Sequence, residues 1–157
     1  MKRFLYILCI SVSLAGLDAC KKDSDPEPQP VIGKWELERL RISGLVAPYA
    51  SENGDNQINK NAISDVFTVK SDNTIAAGRL QQNGRIQEYT GTWTFSNNEL
   101  SVKDDKGNEE KYTLDTTTEP LKLLTSATAT SDSVTNPTTK KVEVVRYNIQ
   151  LVYEKKL

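Results

Sequence analysis

From Val31 onward, apolar and polar residues alternate with the two-residue period of β-strands, and no stretch sustains the period of an amphipathic helix. The first run covers residues 32–42, with Trp35 and Leu37 in one phase and a parity slip near Leu40. Further runs follow at 65–70, 74–80, 88–95, 99–103, 110–115, 121–131 and 141–155. In the run at 88–95, Tyr89, Gly91, Trp93 and Phe95 share one face and Thr90, Thr92 and Thr94 the other. In the last run, Val145, Tyr147, Ile149, Leu151 and Tyr153 share a face. Turn formers separate the runs: Ser71-Asp72-Asn73, Gln82-Asn83-Gly84-Arg85, Ser96-Asn97-Asn98 and Asp105-Lys106-Gly107-Asn108. Residues 58–65 predict one short helical turn at most.

About eight strands joined mostly by short links predict an all-β fold, an antiparallel up-and-down β-barrel. Closure removes the free edges that would recruit other chains. In a meander of this order, the two longest links, 44–64 and 131–140, share the rim opposite Trp35. That rim is the expected mouth. Trp35, Trp93, Phe95 and Tyr153 converge at the other end, where they are expected to plug the barrel base. An aromatic ligand box is the alternative.

The first residues follow a different pattern. Lys2 and Arg3 precede an apolar run over 4–17, which ends at Ala19-Cys20. The run is shorter than the roughly 20 residues that span a bilayer, and reads as a secretory signal peptide. Leu17-Asp18-Ala19-Cys20 resembles the bacterial lipobox, although Asp18 stands where a small or apolar residue is usual. The resemblance implies cleavage before Cys20 and its acylation, giving stable attachment to a lipid bilayer. An ordinary signal peptide and an uncleaved anchor are the alternatives. Pro26, Pro28 and Pro30 among charges make 21–30 an extended spacer. The run of charges from Lys21 to Asp25 is similar to the tether of Bacteroidota lipoproteins, which implies export to the outer leaflet. The expected organisation is a signal peptide at 1–19, a lipidated cysteine and tether at 20–30, and one β domain at 31–157.

Composition narrows the chemistry. The chain has 20 Lys+Arg against 21 Asp+Glu, so neither nucleic acid nor a strongly charged partner is indicated. It has no histidine, which excludes Ser-His-Asp and Cys-His triads and imidazole zinc sites. Its two cysteines are Cys9 and Cys20, so the β domain has no disulfide. The expectation is a protein that is not an enzyme and carries no metal or cofactor. An enzyme using shifted carboxylates is the remaining catalytic option.

Gly33-Lys34-Trp35 opens the first strand. A Phe-containing strand (Val66 to Val69), Trp93-Thr94-Phe95, Leu100-Ser101-Val102 and Tyr112-Thr113-Leu114 follow in order. In this order, behind a lipobox, residues 31–157 resemble the lipocalin-like domain lipoproteins of Bacteroidota. The resemblance implies a lipocalin-like barrel and no particular activity.

Five arginines, Arg39, Arg41, Arg79, Arg85 and Arg146, fall near the expected mouth. Guanidinium forks suit carboxylates and phosphates. The candidate ligand site is therefore Arg39, Arg41, Arg79 and Arg146 with Tyr49 or Tyr89. Exposed strand-end charges are the alternative. Lesser candidates are a calcium loop at 52–56, an acid pair from Asp104-Asp105 and Glu109-Glu110, and a glycosylated Ser/Thr run at 125–139. The expected function is non-enzymatic binding of a small amphipathic or anionic molecule at the outer membrane, facing the periplasm or the surface. The alternative is a solid-core accessory or interaction module whose rim docks an envelope protein in an outer-membrane complex.

Overall fold

The structure is a computed structural model describing residues 29–81 and 83–157. The expected signal peptide, Cys20 and most of the expected tether lie outside the described residues. The described residues form ten strands: β1 (Gly33–Ser43), β2 (Gly54–Gln57), β3 (Asp65–Val69), β4 (Thr74–Leu80), β5 (Ile86–Ser96), β6 (Glu99–Asp104), β7 (Glu109–Asp115), β8 (Lys122–Thr125), β9 (Thr128–Thr135) and β10 (Val142–Lys156). The only helical element among them is a 3₁₀ turn at Ala50–Glu52. The turn expected at 58–65 reduces to two bonds on one carbonyl, the Ala62 and Ile63 N–H groups to Asn59 O.

The strands form one antiparallel sheet in the order β2-β1-β3-β4-β5-β6-β7-β8-β10-β9, and β1 also pairs with β10. The ring β1-β3-β4-β5-β6-β7-β8-β10 is thus a closed eight-strand up-and-down barrel. Alternation drives closure: Asp65, Phe67 and Val69 on β3, Ile75 and Ala77 on β4, and Tyr112 and Leu114 on β7 are all buried on one face. Trp93 is buried and Phe95 half-buried, while Thr90, Thr92 and Thr94 are exposed. Asn97 and Asn98, both at positive φ, make the two-residue turn from β5 to β6. That geometry matches strand twist.

Three irregularities depart from the simple meander. A bulge between Leu37 and Arg39 shifts the β1–β10 register. It keeps Leu40 and Ile42 opposite Leu151 and Ile149, in phase with Leu37 opposite Tyr153. The slip expected near Leu40 therefore falls two residues earlier. The run at 121–131 is two strands: β8 pairs Leu124 with Val152, and β9 pairs Thr128 with Ile149, one residue out of register. Thr125 Oγ1 accepts the Leu151 N–H at this break, and Gln150 Nε2 donates to Thr125 O. Finally, the 44–64 link contains β2, which pairs with β1 over Arg39–Ile42. Past the mouth, β2, β1, β10 and β9 continue as a four-stranded extension. The first half of the link expected at 131–140 is strand, and the hairpin turns at 136–141.

The end near Trp35 is closed. Trp35 is fully buried and donates from Nε1 to Val31 O at 2.8 Å, and Trp93 Nε1 donates to Lys70 O at 2.9 Å. Lys155 spans this base, donating to Pro30 O at 2.7 Å with its Nζ 5.9 Å from the Trp35 ring centroid. Each indole thus meets its polar requirement inside an apolar plug.

Candidate functional site

The opposite end is hollow. A cavity of about 580 Å³ lies under the 62–65 segment, within the range of small-molecule sites. Leu37, Ile63, Leu80, Ile149 and Leu151 give it an apolar wall. Asp65, Arg79, Glu110 and Tyr153 contribute its polar part. All four continue the inward phase of their strands, so the barrel's own alternation places them.

Asp65 is only 3% exposed. Its Oδ2 accepts Arg79 Nε at 2.7 Å and the Tyr153 hydroxyl at 3.1 Å. Its Oδ1 is buried and has no hydrogen-bond partner among the described residues. Burial pushes the Asp65 carboxyl above the ordinary range, and the Arg79 charge offsets part of that rise. Arg79 also reaches Glu110 at 3.5 Å and lies 5.8 Å from the Tyr89 ring centroid. Burial pushes the Tyr89 hydroxyl up to about 12. The Tyr112 hydroxyl donates to Glu110 at 2.6 Å. Beneath the cluster, Phe67, Tyr112 and Tyr153 pack with ring centroids 5.1 to 5.6 Å apart. Burial raises the pKa of both tyrosines, keeping them neutral donors.

The residues named from sequence separate. Arg79 lines the cavity, and Tyr89 stands beside it in an adjoining cleft of about 310 Å³ that Arg79 and Glu110 also line. Arg39, Arg41, Arg146 and Tyr49 are elsewhere. The bulge turns Arg39 and Arg41 to the outer face, opposite Val152 and Gln150. There Arg39 meets Glu154 at 3.5 Å, and Arg41 forms a forked pair with Asp55 at 2.5 and 3.0 Å. Arg146 is exposed on the extension opposite Ser131. Tyr49 lies on the 44–64 link, its hydroxyl out of water near Glu143. Of the four residues expected at the base, Tyr153 is placed one layer higher, as cavity floor. The supposed calcium loop commits Asp55 to Arg41 and Lys122, and Asn53 to Leu45. Asp104 closes its own hairpin by accepting from Lys106 and Asn108.

Sequence reading missed Asp65 as a site residue and weighed Glu110 only as part of an acid pair with Asp104-Asp105, not as a partner of Arg79. Their signal was present: each is a charge in phase with buried residues, Phe67 and Val69 for Asp65, Tyr112 and Leu114 for Glu110. Among the described residues no group of acids, cysteines or histidines could hold a metal ion. No helix there is long and apolar enough to cross a membrane.

A family model described as a lipocalin-like domain matches residues 31–123. Two solved structures are similar in fold at 10% identity: a lipocalin-like protein from Bacteroides uniformis and an uncharacterized protein from Bacteroides eggerthii. The first has a TM-score of 0.43 and covers 81% of this chain and 99% of its own. The second has a TM-score of 0.42 and covers 80% and 99%. No curated protein matches. The family match spans more than half of the chain, from the closed base through the strands carrying Asp65, Arg79 and Glu110, and this protein belongs to the lipocalin-like domain family.

Proposed function

We propose that this barrel is a non-enzymatic binder that holds a small amphipathic molecule at its mouth while Cys20 tethers it to the outer membrane. One observation carries the binding reading: a largely apolar cavity of about 580 Å³ opens above the plugged base of the barrel. An interior meant only to be solid would be filled by side chains at this strand number. Anion capture finds no support, because the one arginine lining the cavity is already met by two carboxylates. Native mass spectrometry of delipidated protein from its own host tests the reading. A co-purified small molecule is the expected result, and a bare chain from several growth conditions counts against it.

The anchor rests on the lipobox-like sequence before Cys20. Cys20→Ala is expected to move the protein out of the membrane fraction. Retention there would refute the anchor.

The interaction-module reading draws on a different feature. The β9–β10 hairpin exposes Val142 and Val144 at 72% and 65%, and β9 pairs on one side only. Deleting residues 130–146 separates the two readings: it should leave ligand capture in place and remove any envelope partner.

A further inference from the structure

We propose that the cavity selects a molecule whose polar head donates hydrogen bonds and carries positive charge, an amphipathic amine, with Asp65 Oδ1 as the atom that receives it. The inference rests on the binding reading above and specifies its ligand.

The argument starts from satisfied and unsatisfied groups. A buried carboxylate oxygen without a donor is costly, and native structures rarely tolerate one without a reason. Asp65 lines the cavity, is nine-tenths buried or more, and uses only Oδ2 within the protein. Of the neighbouring donors, the Tyr153 hydroxyl and Arg79 Nε are on Asp65, the Tyr112 hydroxyl is on Glu110, and Arg79 Nη2 faces Glu110 at 3.5 Å. Asp65 Oδ1 is the buried polar atom at the cavity that none of them meets.

Charge gives the same sign. Arg79 from β4 stands against Asp65 from β3 and Glu110 from β7, one cation for two acids. Lys111 also borders the cavity, but its ammonium holds Glu99 at 2.9 Å. A carboxylate head would face a surplus of negative charge. An ammonium head would complete Asp65 and balance the cluster, with its apolar tail against Leu37, Ile149 and Leu151. Charged hydrogen bonds are the stronger kind, so the preference over a neutral head should reach about tenfold.

The test uses the purified chain, the neutral fluorophore N-phenyl-1-naphthylamine as cavity probe, and three competitors sharing one tail: dodecylamine, dodecanol and dodecanoate. Expected is displacement by the amine at about one-tenth the concentration of the alcohol or less, with the carboxylate weakest. Equal displacement, or tighter carboxylate, overturns the head-group assignment while leaving a binding cavity in place. A probe that neither binds nor is displaced overturns the cavity reading itself. Asp65→Asn should bring the amine-to-alcohol ratio to about one, and an unchanged ratio overturns the assignment. If that variant does not fold, the wild type supplies the same readout. Acidification toward about pH 4 protonates Asp65 among Arg79, Glu110, Tyr89, Tyr112 and Tyr153, and the ratio should fall. A ratio indifferent to pH overturns the assignment.

Discussion

Asp65 holds a carboxyl where water hardly reaches, and that fixes how it must affect stability. Its native pKa is raised, chiefly by burial, whereas the unfolded residue ionises near about pH 4. Between those two values the native state holds more protons than the unfolded one. The stability Asp65 contributes therefore falls as pH rises through the interval, then levels off. Urea unfolding of wild type and Asp65→Asn from about pH 4 to about pH 8 should show this. The wild-type advantage is expected to be largest at the acid end and to shrink upward. An advantage that grew with pH would mean that Arg79 outweighs burial. Asp55 and Asp115 behave oppositely: their pKa values are lowered, by the Arg41 and Thr117 hydrogen bonds, so their support is lost as acid protonates them. Gly91 imposes a constraint of another kind. A Cβ there would lie 2.2 Å from Lys103 O and 3.0 Å from the Asp104 Cα, both backbone. No rotamer relieves such a clash, and Gly91→Ala should cost at least about 1–3 kcal/mol in urea unfolding. An unchanged midpoint would place the β5–β6 approach wrongly. At this scale the site was partly legible from sequence. Arg79 was singled out for its guanidinium, whereas Asp65 passed as an ordinary strand end and Glu110 was considered only in an acid pair with Asp104-Asp105. Asking which charges share the phase of buried neighbours would have found all three.

The elements depend on where alternation is allowed to break. Six barrel strands, β3 to β7 and β10, lie close to their alternating runs, because one face is buried and a one-residue slip would expose it. The bulge after Leu37 was visible only as a parity slip, since a bulge spends one residue without altering composition. Its consequence for Arg39 and Arg41 could not be read without the partner strand. The split of β8 from β9 left no mark, because Ser126-Ala127 sits in a Ser/Thr-rich run that fits strand or loop equally. β2 was missed because Gly54–Gln57 is short and polar and pairs on the extension, away from the core. The bulge provides an experiment. Glu38 is the extra residue, held by Lys60 and Lys156 at 2.7 and 2.6 Å. Deleting it would leave Leu37-Arg39-Leu40-Arg41-Ile42 in strict alternation, with Leu40 and Ile42 still inward and Arg39 and Arg41 still outward. The expected result is a cooperative melt retained in circular dichroism. Glu38→Ala, which keeps the bulge, should likewise cost little, as surface ion pairs contribute about 0–1 kcal/mol. Loss of cooperative unfolding on deletion, with the substitution tolerated, would show that alternation on either side of the bulge does not set the inward phase.

The whole molecule combines a solid half and a hollow half, and the division follows side-chain size along the barrel axis. Near the base, Trp35, Trp93, Leu100 and Leu123 fill the interior. Toward the mouth the inward positions are Leu37, Ile149 and Leu151, too small to meet across the ring, with the charged cluster at their margin. The hollow is thus a consequence of which residues occupy inward positions, and a larger residue there should narrow it. Leu151→Trp places an indole in a space of about 580 Å³, which it narrows without filling and without displacing the base. The expected outcome is weaker N-phenyl-1-naphthylamine binding, with far-ultraviolet circular dichroism unchanged and melting at or above the wild-type temperature. Truncation in the packed half is the matched control. Leu100→Ala lies in fully buried surroundings and should cost about 2–5 kcal/mol. Because it leaves the mouth walls in place, probe binding should persist at temperatures where that variant is folded. If instead Leu151→Trp left probe affinity unchanged, the bound site would lie away from the Leu151 wall, in the adjoining cleft by Tyr89 or in the outer groove by Ile86 and Ala76.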